Sequence, residues 1–435
     1  MNRQFYGWKL TVVLWGMAVF VLGFASYGGP IMNTFMITEL QLDRKSLALA
    51  NSAFSVCMGL VSPLAGYAVS RWGGRATISA GILLAGLGSL ALATVVSNVV
   101  GVVIAYGAII GSATALGGHV PANAVIGYWF RKRLALALAI VSTGTSVGGF
   151  IASPLLTKVI VATGGNWRAG WFVIAATCAI AFIAAILFVR NKPSDVGQLQ
   201  DGTADDRFQK DSPSPKPASR VYKTEKEWIF RDAMRNPIFW MMILSLGVST
   251  SVWGILVGHG MAFFRDLGHP PATGAVFLSC LISSGLGGKA LFAALGDRIE
   301  PRFLWSASLF AIAAAMLMVA NTTSPIKLYA YAIVLGSMAP VGTLSMFTLT
   351  ANYYGKTVYA SLMGVIGLFM ALLPSSVGYL AGMVFDRFGS YWWAFNTHAG
   401  IAILAALVLP FAITGRRTVA RLDVALHACA TKGPA

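Results

Sequence analysis

Long apolar runs separated by short polar breaks set the pattern of this chain. They cover residues 10–37, 46–70, 76–96, 100–128, 133–160 and 169–190. After a polar interval they resume at 237–264, 271–295, 302–321, 326–353, 358–386 and 391–414. A helix crossing a hydrocarbon core about 30 Å thick needs about 20 mostly apolar residues. Every run reaches that length, and several exceed it, which predicts tilted or kinked helices. The expected fold class is therefore all-α and integral to the membrane, with twelve transmembrane helices. Composition agrees: 57% hydrophobic residues, 11% charged residues and a mean hydropathy of +0.71 lie outside the range of ordinary soluble domains.

The polar interval divides the spans six and six. Residues 1–190 form one expected bundle and 237–414 the other. Between them, 191–236 reads as a linker, with Asp, Ser, Pro and Lys in DGTADDRFQKDSPSPKPASR and a short interfacial helix near Lys226–Ala233. Residues 415–435 read as a tail. The two bundles echo each other. Gly66-Tyr-Ala-Val-Ser70-Arg71-Trp-Gly73-Gly-Arg75 closes the second span, and Ala293-Ala-Leu-Gly-Asp297-Arg298-Ile-Glu-Pro-Arg302 closes the eighth. Tyr106, Gly111 and Tyr128 recur at a constant spacing as Tyr331, Gly336 and Tyr353. Near-constant offsets in two kinds of element point to duplication, and parallel six-helix repeats place a substrate near the midplane between them.

Charge adds an orientation. The chain has 32 Lys and Arg against 15 Asp and Glu. With both termini on one side, only Arg44, Lys45, Lys158, Arg168, Arg265, Lys327 and Arg387 fall on the other side, and Lys289 falls on neither. The positive-inside rule then puts both termini in the cytoplasm. The net charge of +17 thereby belongs to membrane insertion, and no nucleic-acid partner is expected. The first apolar run is too long for a cleavable signal. With compact loops and no targeting segment, a bacterial inner membrane is the expected location. Cys57, Cys178, Cys280 and Cys429 form no CxxC pair, so neither a disulfide framework nor a metal site is expected, and no cofactor is implied.

Lys289 is the exception to the charge pattern. It lies in GLGGKALFAALGD, eight residues before Asp297, which marks the end of the span. Eight helical residues cover about 12 Å, so Lys289 is expected near the bilayer midplane. A cation there needs a partner, a water-filled cavity or an anionic ligand. The structural alternative is snorkelling or a bond to a backbone carbonyl. Glu39, Asp297 and Asp386 all fall at span ends, so no carboxylate is expected inside a span.

The repeated loop resembles the G-x-x-x-D-R-x-G-R-[RK] signature of the major facilitator superfamily. The first copy carries Ser70 at the Asp position. The second keeps Asp297 and Arg298 but has Ala293 and Glu300 where glycines belong. Further pieces resemble the monocarboxylate-porter and oxalate/formate-antiporter-like branch: Tyr6-Gly7-Trp8, Leu42-Asp43-Arg44-Lys45-Ser46-Leu47, Tyr128-Trp129-Phe130-Arg131-Lys132-Arg133, Asn166-Trp167-Arg168, Pro193-Ser-Asp195-Val-Gly197 and Asp201-Gly202. The resemblance implies two six-helix bundles rocking around a central site. In that branch an eighth-helix Arg, eight residues before the motif Asp, binds the substrate carboxylate. Lys289 holds that position, keeping the charge without the bidentate fork. The second cation of some members has no counterpart on span 1 or 11, which favours a monoanion over a dicarboxylate.

The expected cargo is a small organic monoanion, a monocarboxylate, moved with a proton by a monomeric unit in the lipid bilayer. Lys289, His119 and His259 are the candidate proton-coupling residues, beside the substrate itself. Candidate substrate contacts, besides Lys289, are Tyr27 and Asn33 in the first span, with Ser26 nearby. Others are His119 and Asn123, seven and eleven residues after Ser112 in the fourth, and Thr143 and Ser146 in the fifth. Ser345 in the tenth stands with Ser337, Thr348 and Asn352. Trp253, Tyr331 and Phe369 are expected to wall the site. Each polar residue is equally a candidate for helix–helix hydrogen bonding. Arg71, Arg75, Asp297, Arg298 and Arg302 are candidate gating residues. Ser70 predicts a weaker latch in the first half than in the second. Exchange of carboxylates is the neighbouring alternative. Export of an organic cation or drug would call for an intramembrane carboxylate, and a non-transporting sensor for a signalling domain.

Enzyme chemistry finds no support. Gly144-Thr-Ser146-Val-Gly148 fits the G-x-S-x-G string but sits in an apolar helix with no preceding strand. Its glycines suit close helix contact. Gly355-Lys356-Thr357 lacks the first glycine of a phosphate loop, and Gly287-Gly288-Lys289 lacks its hydroxyl residue. Neither supports ATP binding, which leaves a secondary carrier.

Overall fold

The computed structural model describes residues 5–40, 44–202, 221–224 and 226–412, all helix, turn or loop among those residues. We number the spans α1 (6–39), α2 (Arg44–Trp72), α3 (Gly74–Thr94), α4 (Val99–Trp129), α5 (Leu134–Ala162) and α6 (Trp167–Phe188). The second set is α7 (Pro237–Asp266), α8 (Pro271–Leu295), α9 (Pro301–Ala320), α10 (325–354), α11 (356–388) and α12 (Trp392–Val408). The helical run Pro325–Phe388 covers 64 residues, but it is two helices joined at a kink, where Gly355 sits at φ 73° and ψ 176°. No L side chain adopts that conformation readily, so the glycine ends α10 and starts α11. The eleven apolar stretches long enough to cross a membrane thus correspond to twelve spans.

Helix starts follow from local chemistry. Pro at the first helical position begins α7, α8, α9 and α10, where its missing N–H leaves nothing unsatisfied. Asn98, Asn166 and Asn236 cap α4, α6 and α7 by accepting the N–H of Gly101, Arg168 and Ile238. Within α4 the helix breaks at Gly118 (φ −98°, ψ −143°). Pro121 lies just beyond and has no N–H to return to Gly117, so the ladder is already weakened there.

The duplication read from the loops extends to helix packing. A methyl group on Gly23 of α1 would lie 2.5 Å from Gly148 Cα of α5, and one on Gly378 of α11 would lie 2.7 Å from Gly254 O of α7. Both pairs let backbones touch, the small-residue packing that membrane helices use when burial supplies no driving force. Likewise Gly111 of α4 abuts Phe54 O of α2, and Gly336 of α10 abuts the Leu281 carbonyl of α8. The pairs occupy equivalent places in the two halves.

Several of the motif pieces build one corner. We call the side where Tyr6 and Ala412 lie the terminal face. There Tyr6 packs at a tilt against Trp129, Trp8 packs edge-on against Phe130, and the Tyr6 hydroxyl donates to Phe188 O at 2.7 Å. Asp201 accepts the N–H groups of Arg131 (2.9 Å) and Lys132 (3.1 Å), and Asp195 those of Asn191 and Lys192. At the opposite end of the helices, Trp167 donates to Glu39 at 2.7 Å and Arg168 lies 3.7 Å from the same carboxylate. These residues fasten the first bundle.

Candidate functional site

Lys289 is set by a close helix contact. Gly288 presses on Ser337, so that a methyl group there would lie 2.6 Å from the Ser337 carbonyl carbon. With α8 pinned against α10, Lys289 reaches out of its own half to α5. Its ammonium donates to Ser142 O at 2.8 Å and to Ser146 Oγ at 2.7 Å. The two acceptors are four residues apart on one face of α5. Gly144 and Gly148 face α1 instead, which explains the glycine–serine string. Among the described residues the ion pairs that form do not involve Lys289. An ammonium has three donors, and two are committed to neutral acceptors.

His119 opens the second part of α4, just past the break at Gly118. Its Nε2 lies 3.4 Å from Thr145 Oγ1, on the same stretch of α5 that receives Lys289. It also borders a small gap among Leu14, Met17, Ile78 and Val141. The structure therefore brings Lys289, Ser146 and His119 to one length of α5, adding Ser142 and Thr145, which the sequence did not single out. The hydroxyl spacing along α5 was a usable signal for Thr145, while Ser142 takes part through its backbone carbonyl.

The other candidates sit elsewhere. Thr143 accepts from Trp15 Nε1 at 3.1 Å and joins α5 to α1. His259 is engaged at both nitrogens, Nε2 with Gly378 O (2.9 Å) and Nδ1 with the Tyr391 hydroxyl (3.2 Å). Asn123 and Ser345 are buried, and neither Asn123 Nδ2 nor Ser345 Oγ has a hydrogen-bond partner. Trp253 and Tyr331 are half-buried on α7 and α10, and Phe369 packs edge-on against Trp240. Tyr27 and Asn33 lie on α1 with side chains outside the described residues, as does Ser26.

The gating candidates divide. Asp297 accepts the N–H of Ala135 and of Leu136, each at 3.0 Å, capping the start of α5 from the other half. Burial raises its carboxyl above the ordinary range, and those two N–H groups pull it partly back. Ser70 instead donates to Tyr67 O in its own helix. Arg75 donates to Ile186 O, and Arg302 to Pro410 O at 2.8 Å, so each ties its own half. Arg71 and Arg298 are exposed. Glu300, at a motif glycine position, is buried and accepts from Tyr222 N (2.8 Å) and the Tyr353 hydroxyl (3.2 Å). It anchors residues 221–224 across the terminal face, where Lys223 donates to Arg131 O in the first half. Tyr359 of α11 fills the notch at Gly127 of α4, and Gly66 of α2 abuts Ala360 O. The halves meet at the terminal face.

Comparison with known proteins matches this architecture. The sequence profile of the Major Facilitator Superfamily matches residues 14–379. Monocarboxylate transporter 13 of Rattus norvegicus is 23% identical over 448 aligned residues, covering 99% of this chain and 95% of that protein. Monocarboxylate transporter 14 of Mus musculus is 30% identical over 171 residues, 39% of this chain, and the match spans only 33% of that protein's length. The Escherichia coli fucose:proton symporter superposes with a TM-score of 0.71 at 15% identity, covering 95% of this chain and all of that one. With the profile spanning most of both bundles, the chain belongs to the Major Facilitator Superfamily, as a multi-pass membrane transporter and not an enzyme.

Proposed function

We propose that the protein is a secondary carrier of a small organic monoanion, a monocarboxylate, with Lys289 as the charge that attracts it. The observation that carries this reading is the Lys289 ammonium, inside the bundle and bonded, among the described residues, to a backbone carbonyl and a hydroxyl of the opposite half. A cation so placed is costly in the membrane. A carboxylate beside it completes the charge and takes up the third donor. The monocarboxylate transporters among the relatives support this choice of cargo.

The bias of Lys and Arg toward the terminal face supports a cytoplasmic position for that face. The contacts closing it then correspond to a carrier shut toward the cytoplasm. Transport requires α5 and α8 to separate there, so the Lys289 bonds to Ser142 and Ser146 must break as the site turns inward. An anion on Lys289 replaces those acceptors and makes the separation less costly. A proton entering with the anion makes the cycle electroneutral, with Lys289 and the adjacent His119 as its candidate sites and His259 as a more distant one. Binding of proton and anion at one charge centre is coupled by linkage.

The test is uptake of labelled pyruvate, lactate and small aromatic acids into proteoliposomes under an inward proton gradient, comparing wild type with Lys289→Gln. The expected result is gradient-driven uptake of one acid that the variant loses. Uptake indifferent to Lys289→Gln would remove the lysine from the mechanism. Uptake driven by a trans-side acid but not by protons would indicate exchange.

A further inference from the structure

We propose that the end of the segment joining the two halves is a latch on the terminal face. Lys223 grips the α4–α5 loop there and holds the carrier shut on that side until the grip is released. The latch does not depend on what Lys289 binds. It has two parts, an arm mounted on the second half and a catch prepared in the first.

The arm is residues 221–224, with 226–229 behind them. Tyr222 N donates to the buried Glu300 carboxylate at 2.8 Å, and its ring lies edge-on to Tyr353. Thr224 N donates to Asn352 O at 2.7 Å. The Thr224 hydroxyl accepts from Lys226 N at 3.1 Å, and the Trp228 ring stands edge-on to Tyr354. Glu300, Asn352, Tyr353 and Tyr354 all belong to the second half, so the arm moves with that half. A buried carboxylate is stable only where donors meet it. Glu300 therefore fixes Tyr222, and Lys223 is the next residue in the chain.

The catch is the Arg131 peptide. Arg131 N and Lys132 N both donate to Asp201, whereas Arg131 O accepts from the Lys223 ammonium. The start and the end of the joining segment thus close on one loop. Asp201 is the one non-glycine residue with positive φ among the described residues, at φ 61° and ψ 6°. Asp tolerates that conformation better than most residues, but it is still a strained one. The two N–H groups that its carboxylate caps offset the strain, and the loop they fix offers the Arg131 carbonyl to the arm.

The grip is strong enough to bias the carrier and weak enough to break in each cycle. An exposed ammonium and a loop carbonyl both regain water when they part, so the net strength of their bond is a small part of its gross strength. Burial lowers the affinity of Lys223 for its proton, and the neighbouring Asp297 and Asp201 work against that. The Lys223 charge therefore also favours the seated position of Asp297 on the start of α5. Opening the terminal face draws arm and catch apart. Whatever frees Lys223 shifts the resting population toward the open state.

Spin labels at Arg71 and Arg298, both exposed and in different halves, test this by pulsed dipolar spectroscopy on the full-length protein in lipid nanodiscs. The protein lacks its native cysteines and no cargo is added, so the outcome is separable from that of the uptake assay on Lys289. Lys223→Gln is expected to enlarge the open population about fivefold with an unchanged thermal midpoint. Asp201→Ala, which frees the catch, is expected to act in the same direction, and Lys223→Arg to stay near wild type. Lys226→Gln removes a cation that stands over Trp228 within the arm, and is expected to leave the distances as they are. A short thiol-cleavable cross-linker joining Arg131→Cys to Lys223→Cys is expected to abolish uptake in proteoliposomes, and reductant to restore it. An open population unmoved by Lys223→Gln overturns the proposal. So does an equal opening by Lys226→Gln, which would make the effect one of net charge, or a cross-linked protein that still transports.

Discussion

Removing the Asp297 carboxylate is expected to open the terminal face without unfolding either half. In the structure both its oxygens accept N–H groups from the first turn of α5, and among the described residues these are the hydrogen bonds that the motif acid makes across the seam. Asp297→Ala leaves Ala135 N and Leu136 N without acceptors. Loss of a capping side chain costs about 0.5–2 kcal/mol, and loss of a negative charge at a helix N-terminus about 0.3–1 kcal/mol. Burial of the carboxylate offsets part of this, as the upward shift of its titration indicates, so the net is about 1 kcal/mol. A difference of that size changes a two-state ratio roughly fivefold. Spin labels at Arg133 and Arg298, both exposed and on opposite sides of the seam, read the separation by pulsed dipolar spectroscopy. The expected outcome is a long-distance population about fivefold larger in Asp297→Ala, with an unchanged thermal transition. Ser70→Asp, supplying the missing acid to the start of α11, is expected to shift the population the opposite way. If Asp297→Ala leaves the distance distribution as in wild type, the carboxylate is not a latch and its two bonds are incidental.

Other outcomes follow from the same geometry. Ser146→Ala removes one acceptor of Lys289 and is expected to raise the open fraction. Combined with Asp297→Ala it should act non-additively by 0.5 kcal/mol or more, as expected for coupled contacts, and strict additivity would separate the two. Asp297 titrates above its ordinary value when the face is closed, so the closed state binds the proton more tightly than the open one. Acidification from neutral pH toward the ordinary carboxylate range is therefore expected to favour closure, and to do so in wild type but not in Asp297→Ala. A closed fraction that falls with acid would contradict the burial of this group. Gly148→Val places bulk where even a methyl group would lie 2.9 Å from Gly23 Cα. Overpacking of about 1–3 kcal/mol should lower the midpoint of thermal unfolding in detergent, and an unchanged midpoint would show that α1 and α5 are not held by that contact. Lys289→Arg, which keeps the charge but adds a planar fork, is expected to retain anion binding with altered preference among acids, and complete loss would mean that ammonium geometry rather than charge is recognised.

The fold was legible because membrane insertion writes itself into composition: span lengths, the duplicated loops and the offsets between Tyr106 and Tyr331 all survive in the helices. The kink that separates α10 from α11 was readable as a polar break at Gly355-Lys356-Thr357. The site was legible only where a residue violates its surroundings, as Lys289 does. Its acceptors were not equally visible. Ser146 is a side chain with the right spacing, but Ser142 contributes a backbone carbonyl, which no sequence pattern marks. Glu300 read as damage to a glycine motif, yet it is the anchor for Tyr222 and the strap that follows. Partners drawn from distant segments, such as His259 with Tyr391 and Arg302 with Pro410, depend on tertiary placement that spacing along one helix does not encode.

Three of the contacts between the halves converge on one rod, α5. Asp297 grips the first turn of α5, and Lys289, eight residues earlier on the same polypeptide, grips its middle. Lys223 holds the loop that leads into it. Eight residues of helix separate the two grips by about 12 Å, a length over which a packed helix moves as a unit. α8 itself is clamped to α10 through Gly288 and Ser337, so it carries its half with it. An anion that draws Lys289 away from Ser142 and Ser146 therefore acts on the same lever that seats Asp297 on α5. The first half has no equivalent second grip, because Ser70 brings no charge to α11. Coupling between an occupied centre and an opening face then runs along α8 and α5.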